Sequence, residues 1–116
     1  MQPPLVRAMQ LAQSLEAQAQ VVAGLIDAGD TYQVRDRVGV LLAQMGTLHA
    51  ALGCEEEIPP APTGRPRDPA ATIAWRIERR ANRIAALCRA SYHPQARTLF
   101  PALLADVYAL GAAVAP

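Results

Sequence analysis

Apolar side chains recur at helical spacing in four stretches of this chain, and short polar or proline-rich segments separate them. In the first stretch, Leu5, Met9, Ala12, Leu15, Ala19, Val22, Ala23 and Ile26 fall on one stripe, the pattern of an amphipathic helix. It predicts a helix over residues 5–28. The opposite side carries Gln10, Gln13, Ser14, Gln18 and Gln20 and is almost uncharged. That surface reads either as a solvated face or as a polar interface with a partner. Glu16 lies beside the stripe and reads as a boundary residue. Gly29 suits the left-handed position after a helix end. Asp30 or Thr31 then caps the next helix, and Gln33 can complete a capping box on Asp30. A connection this short makes the first two helices an antiparallel pair.

The second helix, residues 31–52, has Val34, Val38, Leu41, Met45, Leu48 and Leu52 in alternating steps of four and three. That is a heptad seam sustained over three repeats. Gly39, Gly46 and Gly53 also stand seven apart, although glycine inside a helix costs about 1 kcal/mol relative to alanine. Gly53 sits where the helix ends and reads as its stop. The three glycines lie about 100–140° around from Val34, with Ala43 and Ala50 extending their side and Leu42 and His49 bridging to the seam. The helix therefore has two contact surfaces. The expectation is that Gly39 and Gly46 let a neighbouring helix, from this chain or a second copy, lie against bare backbone.

Residues 54–68 break the helical pattern. The stretch CEEEIPPAPTGRPRDP, Cys54 to Pro69, holds five prolines and Gly64, which exclude regular helix. Fully extended it reaches roughly 50 Å, enough to cross a bundle from end to end. Helix three is expected over 69–92, with Asp68 as N-cap and Pro69 in the first helical position. Its apolar face is Ile73, Ile77, Ala81, Ile84, Ala85, Cys88 and Tyr92. A fourth helix over 95–114 carries Leu99, Leu103, Val107, Leu110 and Val114, kinked or broken near Pro101. The whole chain, 1–116, reads as one all-α domain: a four-helix bundle-like fold with an antiparallel first pair, a long proline-rich linker, and two more helices.

Composition agrees. Hydrophobic residues make up 52% of the chain but aromatics only 4%, so the core is aliphatic, as packed helices favour. All eleven basic residues are arginine, and the formal net charge is +1, which gives no overall pull toward nucleic acid or membrane. Two cysteines are too few for a disulfide framework. No stretch reads as a signal peptide or a membrane span, and the expected location is the cytoplasm.

Candidate chemistry is sparse. In RIERRANR, Arg76, Arg79, Arg80 and Arg83 cover about 100° of one helix face, and Arg65 and Arg67 of the linker can join them. Arginine forks bind phosphate, so this is a possible nucleic-acid footprint. The alternative is a solvated face paired with acids of a neighbouring helix. Trp75 lies on the flank of that helix, either as an anchor for a partner or covered by the linker prolines. His49 with Cys54, and Cys88 with His93, form a mirrored pair of spacings. They meet only if helices two and three run parallel, and residues five apart project about 140° apart, so neither pair is a natural metal chelate. Glu55, Glu56 and Glu57 read as a solvated loop. No catalytic, cofactor or metal constellation is expected.

Three function classes remain. The leading one is a small non-enzymatic interaction or assembly protein that self-associates, with a homodimer or another protein as partner. The alternatives are a nucleic-acid-binding protein using the arginine face, and an enzyme with an unrecognised site.

Overall fold

The computed structural model describes residues 3–116 and contains four helices. They are α1 (Pro3–Asp27), α2 (Thr31–Leu52), α3 (Ala70–Arg89) and α4 (His93–Ala113). Among the described residues there is no strand. The fold is an all-α, bundle-like packing of four helices.

Each helix packs on two others: α1 on α2 and α3, and α4 on α2 and α3. The order around the bundle is therefore α1, α2, α4, α3. Cross-helix contacts fix the directions. Gln44 of α2 donates to Ser14 of α1 at 3.1 Å, as expected for an antiparallel pair closed by a short turn. Arg35 near the start of α2 donates to the Val114 carbonyl at the end of α4, while His49 near the end of α2 meets Phe100 near the start of α4. These two helices are thus antiparallel, as are α3 and α4, which a tight turn joins. It follows that α2 and α3 are parallel and lie on the diagonal. The linker must then run the length of the bundle, within the 40 Å long dimension.

It does so as a strap over α4 rather than as a free loop. The Glu56 carbonyl sits 2.6 Å from His49 Nε2. Tyr108 donates its hydroxyl to the Pro59 carbonyl at 2.7 Å. Arg65 donates to the Ala115 carbonyl at 3.3 Å. Asp68 finally pairs with Arg76 at 2.7 Å.

The six heptad residues of α2 are all buried, as are Leu5, Ala12, Leu15, Ala19 and Val22 of α1. The α3 face agrees with the sequence pattern except at Tyr92, which lies beyond the helix end and is exposed. α1 and α3 make the most extensive contact in the bundle. Both bury alanines, Ala8, Ala12 and Ala19 on one and Ala74, Ala81 and Ala85 on the other, and small side chains let backbones approach. Phe100, the chain's single phenylalanine, joins a core otherwise built of aliphatic side chains, Met45 and Cys88.

Helix ends repeat one device. After α1, Asp30 N–H bonds to the Leu25 carbonyl and Gly29 N–H to Ile26. After α2, Cys54 bonds to His49 and Gly53 to Ala50. After α3, Tyr92 bonds to Leu87 and Ser91 to Cys88. All three are Schellman motifs, which place the C′ residue in the left-handed region. Glycine fills that position twice, with φ of 75° at Gly29 and 70° at Gly53, but Ser91 takes it at 64°. Asp30 is the N-cap of α2 and accepts from Gln33 N–H at 3.2 Å. The reciprocal half of the box differs from expectation. The Gln33 side chain bonds the Asp30 carboxylate at 2.8 Å, because the Asp30 N–H is already used by the α1 cap.

Two expectations about helix ends are corrected. Asp68 does not cap α3: Pro69 occupies the cap position without a side-chain cap bond, and the Asp68 carboxylate turns to Arg76 instead. Of the kink or break expected at Pro101, the break does not occur. α4 runs through it, with the proline exposed. Proline removes one N–H, leaving the Arg97 carbonyl without its i+4 donor, and an outward position lets solvent satisfy that group.

Candidate functional site

Three surfaces contain the residues singled out by chemistry. The first is the outward side of α2. Within the chain no helix lies against Gly39 or Gly46: a Cβ built on either would meet nothing within 4 Å. The intramolecular form of the close-approach expectation is therefore absent. α1 contacts the Gln44 side of the helix and α4 the Val38 and His49 side, so the two glycines point between them, outward. The close approach to α2 occurs at Gly111, where a Cβ would stand 3.2 Å from Val38 Cγ1. Flanking the glycines, Ala43 and Ala50 are exposed, as are Tyr32, Val40 and Leu42.

The second surface is the arginine face of α3. The structure divides it. Arg76 and Arg80 both reach Asp106 of α4, a carboxylate on a residue only 6% exposed. Arg76 also binds Asp68. That hydrogen bond, opposed by burial and reinforced by Asp106, raises the Arg76 guanidinium further above its ordinary value. Arg79 instead lies over the Trp75 ring, 4.8 Å from its centroid, a cation–π contact. Trp75 is 54% exposed, so the linker prolines do not cover it. Arg79 and Arg83 are exposed, and Arg67 is exposed on the linker, while Arg65 ties the linker to Ala115. The continuous six-arginine footprint is thus split into a neutralised inner pair and separated outer charges.

Asp106 is the residue that the sequence pattern missed. Its signal was present: an acid inside LLADVYAL, three residues after Leu103 and four before Leu110, on the buried stripe. A buried carboxylate needs a paired cation, and the neighbouring helix offered arginines.

The third surface is a cleft of about 640 Å³ at the end of the bundle where α2 stops and α4 begins. It is lined by His49, the linker from Cys54 to Glu57, and Arg97, Phe100 and Leu104 of α4, among others. The His49 ring stands edge-on to Phe100 with centroids 5.3 Å apart. A carbonyl only accepts, so His49 Nε2 carries a proton and donates it to Glu56. Burial pushes the Cys54 thiol up from its ordinary value, against a lowering pull from Arg97. Cys88 is raised by burial alone. The parallel arrangement of α2 and α3 does carry His49, Cys54, Cys88 and His93 to one end of the bundle. Even so, among the described residues no group of three or more His, Cys, Asp or Glu is positioned to hold a metal ion. No helix of the described residues is long and apolar enough to cross a membrane. In comparisons with known proteins, no family model, no curated protein and no solved structure matches this chain.

Proposed function

We propose that this chain is a helical interaction protein that self-associates through the outward face of α2. The observation that carries the reading is the open stripe of Gly39, Ala43, Gly46 and Ala50. No Asp, Glu, Lys or Arg occurs between Arg37 and Glu55, an unusual length of surface helix without charge. A solvated face is ordinarily rich in charged side chains, and glycine is unfavourable there by about 1 kcal/mol relative to alanine.

The stripe also fits itself. Its steps of four, three and four are the same in either direction. A two-fold axis between Ala43 and Gly46 sets Gly39 against Ala50 of a second copy and Ala43 against its Gly46. That is an isologous contact, the commonest kind in homodimers. It makes the paired helices antiparallel, so their dipoles oppose. Val40, Leu42 and Thr47 flank the stripe and close over its sides. Light scattering during size-exclusion chromatography tests the reading: a dimer mass at tens of micromolar supports it, and a monomer mass at every loading contradicts it.

The arginine face supports the nucleic-acid reading less well. Half of its helical arginines are engaged with Asp106, and a guanidinium already held by a carboxylate has fewer free donors for phosphate.

A further inference from the structure

We propose that the cleft between the end of α2, the linker and the start of α4 binds a small zwitterion with an apolar side chain, of the class of short peptides with free termini. This goes beyond self-association and uses a different surface. The cleft is open to solvent and its volume of about 640 Å³ falls within the roughly 300–1,000 Å³ of typical small-molecule sites.

Its walls divide by chemistry. Phe100 and Leu104 are buried residues that line the cleft, and Pro59, Pro94 and Pro101 complete an apolar and stiff lining. Arg97 lines the same space. It is half-buried, yet makes no ion pair or side-chain hydrogen bond among the described residues. Gly53 lies beside the guanidinium: a Cβ there would be in ordinary contact with Arg97 Nη1, at 3.8 Å. A guanidinium with a free fork is matched to a carboxylate, which it binds through two parallel hydrogen bonds.

Glu55, Glu56 and Glu57 line the same cleft, and none forms an ion pair with Arg97 or any other described residue. The glutamates alone would be a solvated loop. Together with Arg97 they select a charge pattern. A simple anion drawn to Arg97 meets three carboxylates, and a simple cation drawn to the carboxylates meets Arg97. A zwitterion satisfies both, with its carboxylate on Arg97, its ammonium toward the glutamates and its side chain on Phe100 and Leu104. The acidic wall is held in place: His49 bonds the Glu56 carbonyl, Tyr108 bonds the Pro59 carbonyl, and the Gly53 cap fixes the turn between α2 and the linker.

Calorimetric titration of the full chain with the peptide Ala-Leu-Ala, its C-terminal amide and its N-acetyl form tests the proposal. The expected result is saturable binding of the free peptide, with each blocked form weaker by about tenfold. Arg97→Gln should bind free peptide and amide alike. Conversion of Glu55, Glu56 and Glu57 to Gln should erase the preference over the acetylated form. Circular dichroism checks that both variants keep their helices. Absence of saturation up to about 10 mM peptide, or equal binding of the free and blocked peptides by the unaltered chain, would overturn it.

Discussion

At Gly111 the α4 backbone comes so close to Val38 that a methyl group would press on its Cγ1. Val38 is β-branched and has one favoured rotamer in a helix, so it yields poorly. Gly111→Val should lower stability by about 1–3 kcal/mol through overpacking, read by urea denaturation. Gly39→Ala, with open space around its Cβ, should instead raise monomer stability by about 0.5–1 kcal/mol. Ser91 gives a second contrast. It occupies a left-handed position that costs a residue with a Cβ about 1–2 kcal/mol. Ser91→Gly should therefore stabilise by up to about 1 kcal/mol in the same assay, once glycine's greater unfolded freedom is counted. A loss would show that the Ser91 side chain makes a compensating interaction. The thiols set a pH limit. Burial raises both cysteine pKa values from 9.0, so the unfolded chain gives up these protons at lower pH than the folded one. Their contribution is intact below about pH 9 and declines as pH rises through the folded values. Between about pH 8 and pH 10, the unaltered chain should lose more stability than a Cys54→Ala/Cys88→Ala variant. Equal losses would contradict the burial account.

At the scale of helices, periodicity exposed most of the architecture and said little about which helices touch. The α2 seam was legible because each of Val34, Val38, Leu41, Met45, Leu48 and Leu52 repeats the heptad rule, and all six are buried. The Gly29 and Gly53 stops were legible because only a residue tolerant of positive φ fits a Schellman turn. Ser91 was not, since serine carries no such signal. The fate of Asp68 depended on a guanidinium two turns away, and the continuity of α4 at Pro101 depended on that side facing outward. Neither follows from local propensity. The arginine face shows the same limit: its helical projection was readable, but its partner Asp106 belongs to another helix. Asp106→Ala should cost about 1–3 kcal/mol, less than for a fully buried pair because Arg76 and Arg80 remain partly exposed. A change under about 0.5 kcal/mol would mean that the α3–α4 pair does not depend on this carboxylate.

For the whole molecule, the decisive feature is the strap. Because α2 and α3 are parallel, the linker has to return the full bundle length, and its hydrogen bonds to His49, Tyr108 and Ala115 hold it over α4. It leaves the outward side of α2 open. The core is closed by four helices with their own seams buried, so pairing is not needed to complete it. The proposed self-association would accordingly be a property of the surface, separable from folding.

Sedimentation equilibrium of the unaltered chain beside a Gly39→Leu/Gly46→Leu variant tests that separation most directly. Both glycines have open space within the chain, so the variant should keep its helical circular dichroism and its cooperative unfolding. The account predicts a dimer for the unaltered chain at tens of micromolar and a folded monomer for the variant. A monomer for the unaltered chain, or an unchanged dimer for the variant, would contradict it.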